Sequence, residues 1–91
     1  MKIFERSGDL QVFLDTHRSS NKKVALVPTM GGLNDGHLSL VEKAQSLADV
    51  VVVSIFVNPT QLAKDEDFDS YPKTFSNDKL LLENQSVDAV Y

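Results

Sequence analysis

The sequence predicts an α/β fold built on a parallel sheet, and three stretches predict it. Residues 24–27 (Val24, Ala25, Leu26, Val27) are a continuous apolar run, as expected of a strand covered on both faces. Residues 50–57 (VVVVSIFV) are a second run, rich in the β-branched side chains that favour strands. Between them, residues 37–48 repeat with helical period. Leu40, Val41, Ala44 and Leu47 form the expected buried face, and Glu42, Lys43 and Gln45 face water. Strand, helix and strand within about 35 residues make a βαβ unit, whose strands run parallel with a right-handed crossover.

The remaining elements follow in order. Residues 1–6 are too few and too charged for the apolar core of a signal peptide. Ser7 is placed to cap a helix whose first turn carries Asp9. Leu10, Phe13, Leu14 and His17 then recur at i, i+3, i+4 and i+7 and make one stripe. His17 reads as a residue of the helix C-terminus, in favourable contact with the dipole. Residues 18–23 (RSSNKK) are a polar turn into the first strand. After the second strand, residues 58–73 form a long polar connection with two prolines and an acidic cluster (Asp65, Glu66, Asp67, Asp69). Connections of this length in a compact domain tend to serve function. Thr74 or Ser76 caps a third helix that buries Leu81 and Leu82, and residues 87–91 read as a third strand.

Composition narrows the function classes. Ninety-one residues make one small domain with a modest core. Hydrophobic residues at 42% and charged residues at 24% are ordinary for a soluble chain. A net charge of −4 argues against a nucleic-acid or anionic-membrane surface, which needs a basic patch. The absence of cysteine excludes disulfides and thiolate metal sites. No apolar run reaches membrane-spanning length, and a cytoplasmic protein is expected.

The chemistry concentrates between the first strand and its helix. Pro28 stops the strand, a loop with Gly31, Gly32 and Gly36 follows, and His37 stands at the mouth of the helix. Strand, glycine loop and helix N-terminus form an anion-binding corner, because the first amides of a helix point at negative charge. His37 at that corner can donate to a phosphate oxygen. Asn58, Pro59, Thr60 and Gln61 lie just beyond the carboxyl end of the second strand, the edge where open α/β sheets bind ligands. Gln61 offers both a donor and an acceptor. The acidic cluster 65–69 lacks the glycine and distant glutamate of a calcium loop and reads as a solvated segment; no metal site is expected in the protein.

VPTMGGLNDGHLSL (27–40), VSIFVNPTQL (53–62) and DFDSYP (67–72), in that order and spacing, resemble the pantothenate synthetase family, the pantoate–β-alanine ligases. The resemblance covers nearly the whole chain. It implies a Rossmann-like three-layer α/β fold of the nucleotidylyl-transferring superfamily with the His-x-Gly-His signature. It implies condensation of pantoate with β-alanine, driven by ATP through a pantoyl-adenylate. By the same likeness Met30, Gly31, Gly32, Leu33, Asn34, Asp35, Gly36 and His37 line the ATP site, with His37 as catalytic proton donor. Pro28, Thr29, Met30, Asn58 and Gln61 line the pantoate pocket, and Gln61 also meets β-alanine. ATP would bring Mg²⁺ held mainly by its phosphates. A homodimer is implied, together with a second, lysine-bearing ATP loop and a lid domain after residue 91, so the sequence is expected to be the N-terminal portion of a longer chain. Asn34 stands where the family carries its first signature histidine, and Leu62-Ala63 where it carries Phe-Gly. Asparagine can donate through its amide but carries neither charge nor proton. Asp35 would repel phosphate if it pointed inward and is expected to face solvent. A non-catalytic pantoate- or nucleotide-binding fragment, or a degenerate relative, is the alternative reading, and a nucleotidylyltransferase with another acceptor is the third.

Overall fold

The computed structural model describes residues 1–56 and 71–91. The elements run β1 (Lys2–Ile3), α1 (Ser7–Ser19), β2 (Val24–Thr29), α2 (Asp35–Leu47), β3 (Val50–Ile55), α3 (Tyr71–Asn84) and β4 (Ala89–Val90). Among the described residues the strands form one four-stranded sheet, ordered β1-β4-β3-β2, with every pairing parallel. The expected βαβ unit is present, with β2 and β3 adjacent in the register Val24 to Val50 through Thr29 to Ile55.

The period of two along β3 assigns its side chains to two cores. Val50 and Val52, with Ala89, meet Phe4, Leu10, Phe13 and Leu14 on one face, which α1 covers. Val51, Val53 and Ile55 pack with Val27, Val41, Leu82, Val87 and Val90 on the other, under α2 and α3. Helices on both faces explain why the strands read as unbroken apolar runs rather than alternating ones. His17 lies half-buried with its ring edge-on to Phe13, 4.5 Å between centroids. At the start of the unit, the Asp49 carboxylate accepts the Lys23 amide (2.9 Å) and Asp88 accepts the Val51 amide (2.8 Å).

Several expectations are corrected. The sheet gains a fourth strand, β1, because the Lys2 amide donates to the Asp88 carbonyl and Phe4 to that of Val90. The helix α1 begins with Ser7 itself, and Arg6 precedes it without a side-chain cap. The helix α3 begins at Tyr71, so Thr74 and Ser76 lie inside it rather than capping it. Pro72 is accommodated in that first turn, where its missing N–H has no helical partner to lose. On α2, Leu40 and Leu47 are 54% and 62% exposed. The inward stripe is centred on Val41 and half-buried Ala44, leaving these two leucines, seven residues apart, on its flank. The run 50–57 ends as a strand at Ile55, and Val57 with the connection through Ser70 lies outside the described residues. No helix among the described residues is long and apolar enough to cross a membrane.

Candidate functional site

The carboxyl ends of β2 and β3 are stapled together immediately before the glycine loop. The Thr29 hydroxyl donates to the Ser54 carbonyl (2.9 Å) and accepts the Gly31 amide (3.3 Å), and the Thr29 carbonyl accepts the Phe56 amide (2.9 Å). The chain then turns through Gly31 at φ +85° and Gly32 at φ +63°, a left-handed pair that only glycine adopts without strain. Leu33 plunges into the core at 8% exposure and anchors the loop from below. Its side chain is therefore unavailable to a ligand.

Asn34 is the N-cap of α2, with φ −134° and ψ −175°. Its Oδ1 accepts the amides of Gly36 (2.9 Å) and His37 (3.2 Å). In return the Asn34 amide donates to Nδ1 of His37 at 3.1 Å, closing a reciprocal capping box. A ring nitrogen that accepts an N–H carries no proton, so neutral His37 holds its proton on Nε2. The helix thus starts at Asp35, two residues before the expected start at His37, and Asp35 is exposed as expected.

The described half of the site is supported by a residue that sequence reasoning missed. Asp78, in α3, is 1% exposed and reaches back to the loop. Its Oδ2 accepts the Gly32 amide and its Oδ1 the Leu33 amide, each at 2.9 Å. The only hint in the sequence is an aspartate among the leucines of a helix, a pattern that reads equally well as a polar surface position.

These bonds change the reading of the corner. The amides of Gly31, Gly32, Leu33, Asn34, Gly36 and His37 all donate to side chains of the protein itself. Apart from the Asp35 amide, the expected row of free helix-terminal donors is therefore internally engaged, and His37 Nε2 and Asn34 Nδ2 are the side-chain donors of the corner. No lysine or arginine occurs between Val24 and Glu42, so the corner itself contributes no fixed positive charge. Among the described residues no three His, Cys, Asp or Glu side chains converge as a metal site.

Of the residues assigned to pantoate, exposed Pro28, half-buried Thr29 and exposed Met30 gather at the end of β2 beside Ser54 and Phe56. Asn58 and Gln61 lie outside the described residues. A separate open cleft of about 720 Å³ runs along the same carboxyl edge, walled by Ile3, Leu26, Phe56, Phe75 and Tyr91 among others. None of the expected site residues among those described lines it, and its described polar groups are few, Glu5 and Ser54 among them.

The sequence profile of the pantoate-beta-alanine ligase family matches residues 2–91. The chain belongs to that family. Pantothenate synthetase of Thermotoga petrophila is 48% identical over 91 residues, all of this chain and 32% of the relative. The crystal structure of the Thermus thermophilus pantothenate synthetase superposes with a TM-score of 0.74 at 38% identity, over 100% of this chain and 31% of that one. The pantoate-beta-alanine ligase of Francisella tularensis, crystallised with beta-gamma ATP and beta-alanine, gives 0.74 at 40% identity over 99% and 34%. The ligase-family chain described here therefore spans about a third of the length of these relatives, and its Rossmann-like α/β fold is theirs.

Proposed function

We propose that this chain carries the pantoate- and nucleotide-facing part of an ATP-dependent pantoate–β-alanine ligase. The observation that carries the reading is His37, held at the mouth of α2 through Nδ1 with Nε2 left as the ring's donor, in a chain whose family profile runs from residue 2 to 91. The ATP analogue and beta-alanine named for the Francisella relative support the same substrates here.

The reaction joins a carboxylic acid to an amine. The pantoate carboxylate attacks the α-phosphorus of ATP, the bond to the bridging oxygen breaks, and pyrophosphate leaves. The β-alanine amine then attacks the acyl carbon of the adenylate, releasing AMP and a proton and forming the amide. His37 Nε2–H would donate to a phosphate oxygen as charge builds on the leaving pyrophosphate. Pro28, Thr29 and Met30 would flank the hydroxy-acid, with Asn58 and Gln61 completing its pocket and Gln61 also meeting the amine. Met30 and the loop from Gly31 to Gly36 would border the nucleotide. Here they act as a rigid rim, with the Asp35 amide as the one backbone donor of the loop not engaged by the protein itself. Mg²⁺ would ride on the nucleotide phosphates, and the family likeness supports a cytoplasmic homodimer.

The chain spans about a third of its relatives' length. Each phosphate clamp carried by the remainder would be worth on the order of 10²–10³ in rate, so the 91 residues alone should bind substrates weakly and show no turnover. The test is an assay of AMP and pyrophosphate with pantoate and β-alanine omitted in turn, alongside titration of the His37 ring signals with MgATP. Signals that move with MgATP in the absence of turnover are expected. A His37 ring indifferent to millimolar MgATP and pantoate would overturn the assignment. Pantothenate formation that is lost in His37→Ala would show instead that one side suffices.

A further inference from the structure

Successive backbone amides in a turn can converge on one concavity that captures anions, and here the turn runs through Gly31 and Gly32, both at positive φ. In this chain the concavity at Gly31, Gly32 and Leu33 already holds a carboxylate, since Asp78 accepts the Gly32 and Leu33 amides at 2.9 Å each. The partners stand 46 and 45 residues apart in sequence, so the contact joins α3 to the loop after β2. Asp78 is 1% exposed, and no buried side-chain nitrogen or oxygen among the described residues lacks a hydrogen-bond partner. Gly31 is also tightly placed: a Cβ there would lie 3.3 Å from Asp78 Oδ2 and 3.4 Å from Ile55 Cγ2, so that these neighbours would have to give by a few tenths of an ångström.

We propose that Asp78 is a positioning residue that occupies the glycine nest as an internal anion. It fixes the loop before any nucleotide arrives and leaves ligand phosphate to the His37 side of the corner. Without it, two inward-facing amides lose their acceptor. The loop would then be free to leave the geometry that holds Asn34 and His37 at the helix mouth. A preformed loop also removes an ordering cost from ligand binding. The occupancy of the nest stands on the hydrogen bonds alone, whereas the consequence for phosphate rests on the ligase reading above.

The experiment is amide-resolved NMR of the 91-residue chain, using pyrophosphate and acetate as probes. In the unaltered chain the Gly32 and Leu33 amides should be protected from exchange and stay in place as pyrophosphate is added, while the His37 ring responds. Asp78→Ala should lose protection at both amides by about tenfold or more. It should also weaken pyrophosphate binding at His37, and acetate, filling the vacated nest, should restore both. Asp78→Asn keeps the volume but turns an N–H₂ toward one of the amides, and should lose protection without acetate rescue. Gly32 and Leu33 amides that titrate with pyrophosphate in the unaltered chain would overturn the proposal, a result that needs no variant to fold. So would unchanged protection in Asp78→Ala. Because protection is read without nucleotide, failure of the ligase reading appears separately, as a His37 ring that ignores pyrophosphate.

Discussion

Asn34 and His37 hold each other by reciprocal hydrogen bonds: the Asn34 amide donates to His37 Nδ1 at 3.1 Å, and Asn34 Oδ1 accepts the His37 amide at 3.2 Å. Asn34 thus both caps the helix with its side chain and holds the His37 ring with its backbone amide. Asparagine is among the best N-cap residues, which suits it to this helix start.

Asn34→Ala should lose the side-chain cap and destabilise the chain by about 1 kcal/mol, read by urea unfolding. The bond to His37 Nδ1 comes from the backbone amide of residue 34, which alanine keeps, so the ¹⁵N pattern of a single Nε2–H tautomer should persist. Asn34→Asp should retain the cap. An Asn34→Ala chain of unchanged stability would show that the side-chain cap does not form in solution.

The two adjacent glycines should respond unequally to alanine. Gly32→Ala meets no atom within 4 Å and bears only the left-handed backbone penalty, about 1–2 kcal/mol. Gly31→Ala adds contacts at 3.3 Å and 3.4 Å to a φ of +85°, and should cost more. Denaturation midpoints compared at constant m-value test the order. Equal effects would mean that Asp78 and Ile55 yield freely.

Ser86 adopts φ +62° just after α3, where its amide donates to the Glu83 carbonyl. Glycine is the favoured residue at such a helix end. Ser86→Gly should raise stability by about 0.5–1 kcal/mol, seen as a higher midpoint of thermal unfolding. A lower midpoint would mean that the left-handed turn is not populated.

Leu26 and Phe56 are 60% and 67% exposed and share the wall of the cleft at the carboxyl edge of the sheet. Clustered apolar surface of this kind drives association. The isolated chain should sediment as a concentration-dependent mixture, and the double substitution Leu26→Ser with Phe56→Ser should shift it toward monomer. Identical sedimentation of the two chains would remove this surface as the cause.

The sequence by itself determined the βαβ unit, the position of the glycine loop, the helix mouth at His37 and the family. Each is written in short-range patterns, namely apolar runs, glycine placement and helical period, that fold locally in much the same way in any context. The α1 stripe of Leu10, Phe13 and Leu14 is legible for the same reason. Tertiary structure alone decided the rest. The two-residue strand β1 exists only because β4 offers it carbonyls nearly ninety residues away, as in the bond from Lys2 to Asp88. Leu40 and Leu47 look buried by period, yet the sheet beneath α2 is reached only by the stripe through Val41. Above all, a helical aspartate reads as surface until packing buries it against Gly32 and Leu33, and the loop's amides look free until that carboxylate is seen. Contacts between residues so far apart in sequence leave no periodic trace, because they form only when the chain closes on itself and the core has chosen which face each helix turns inward.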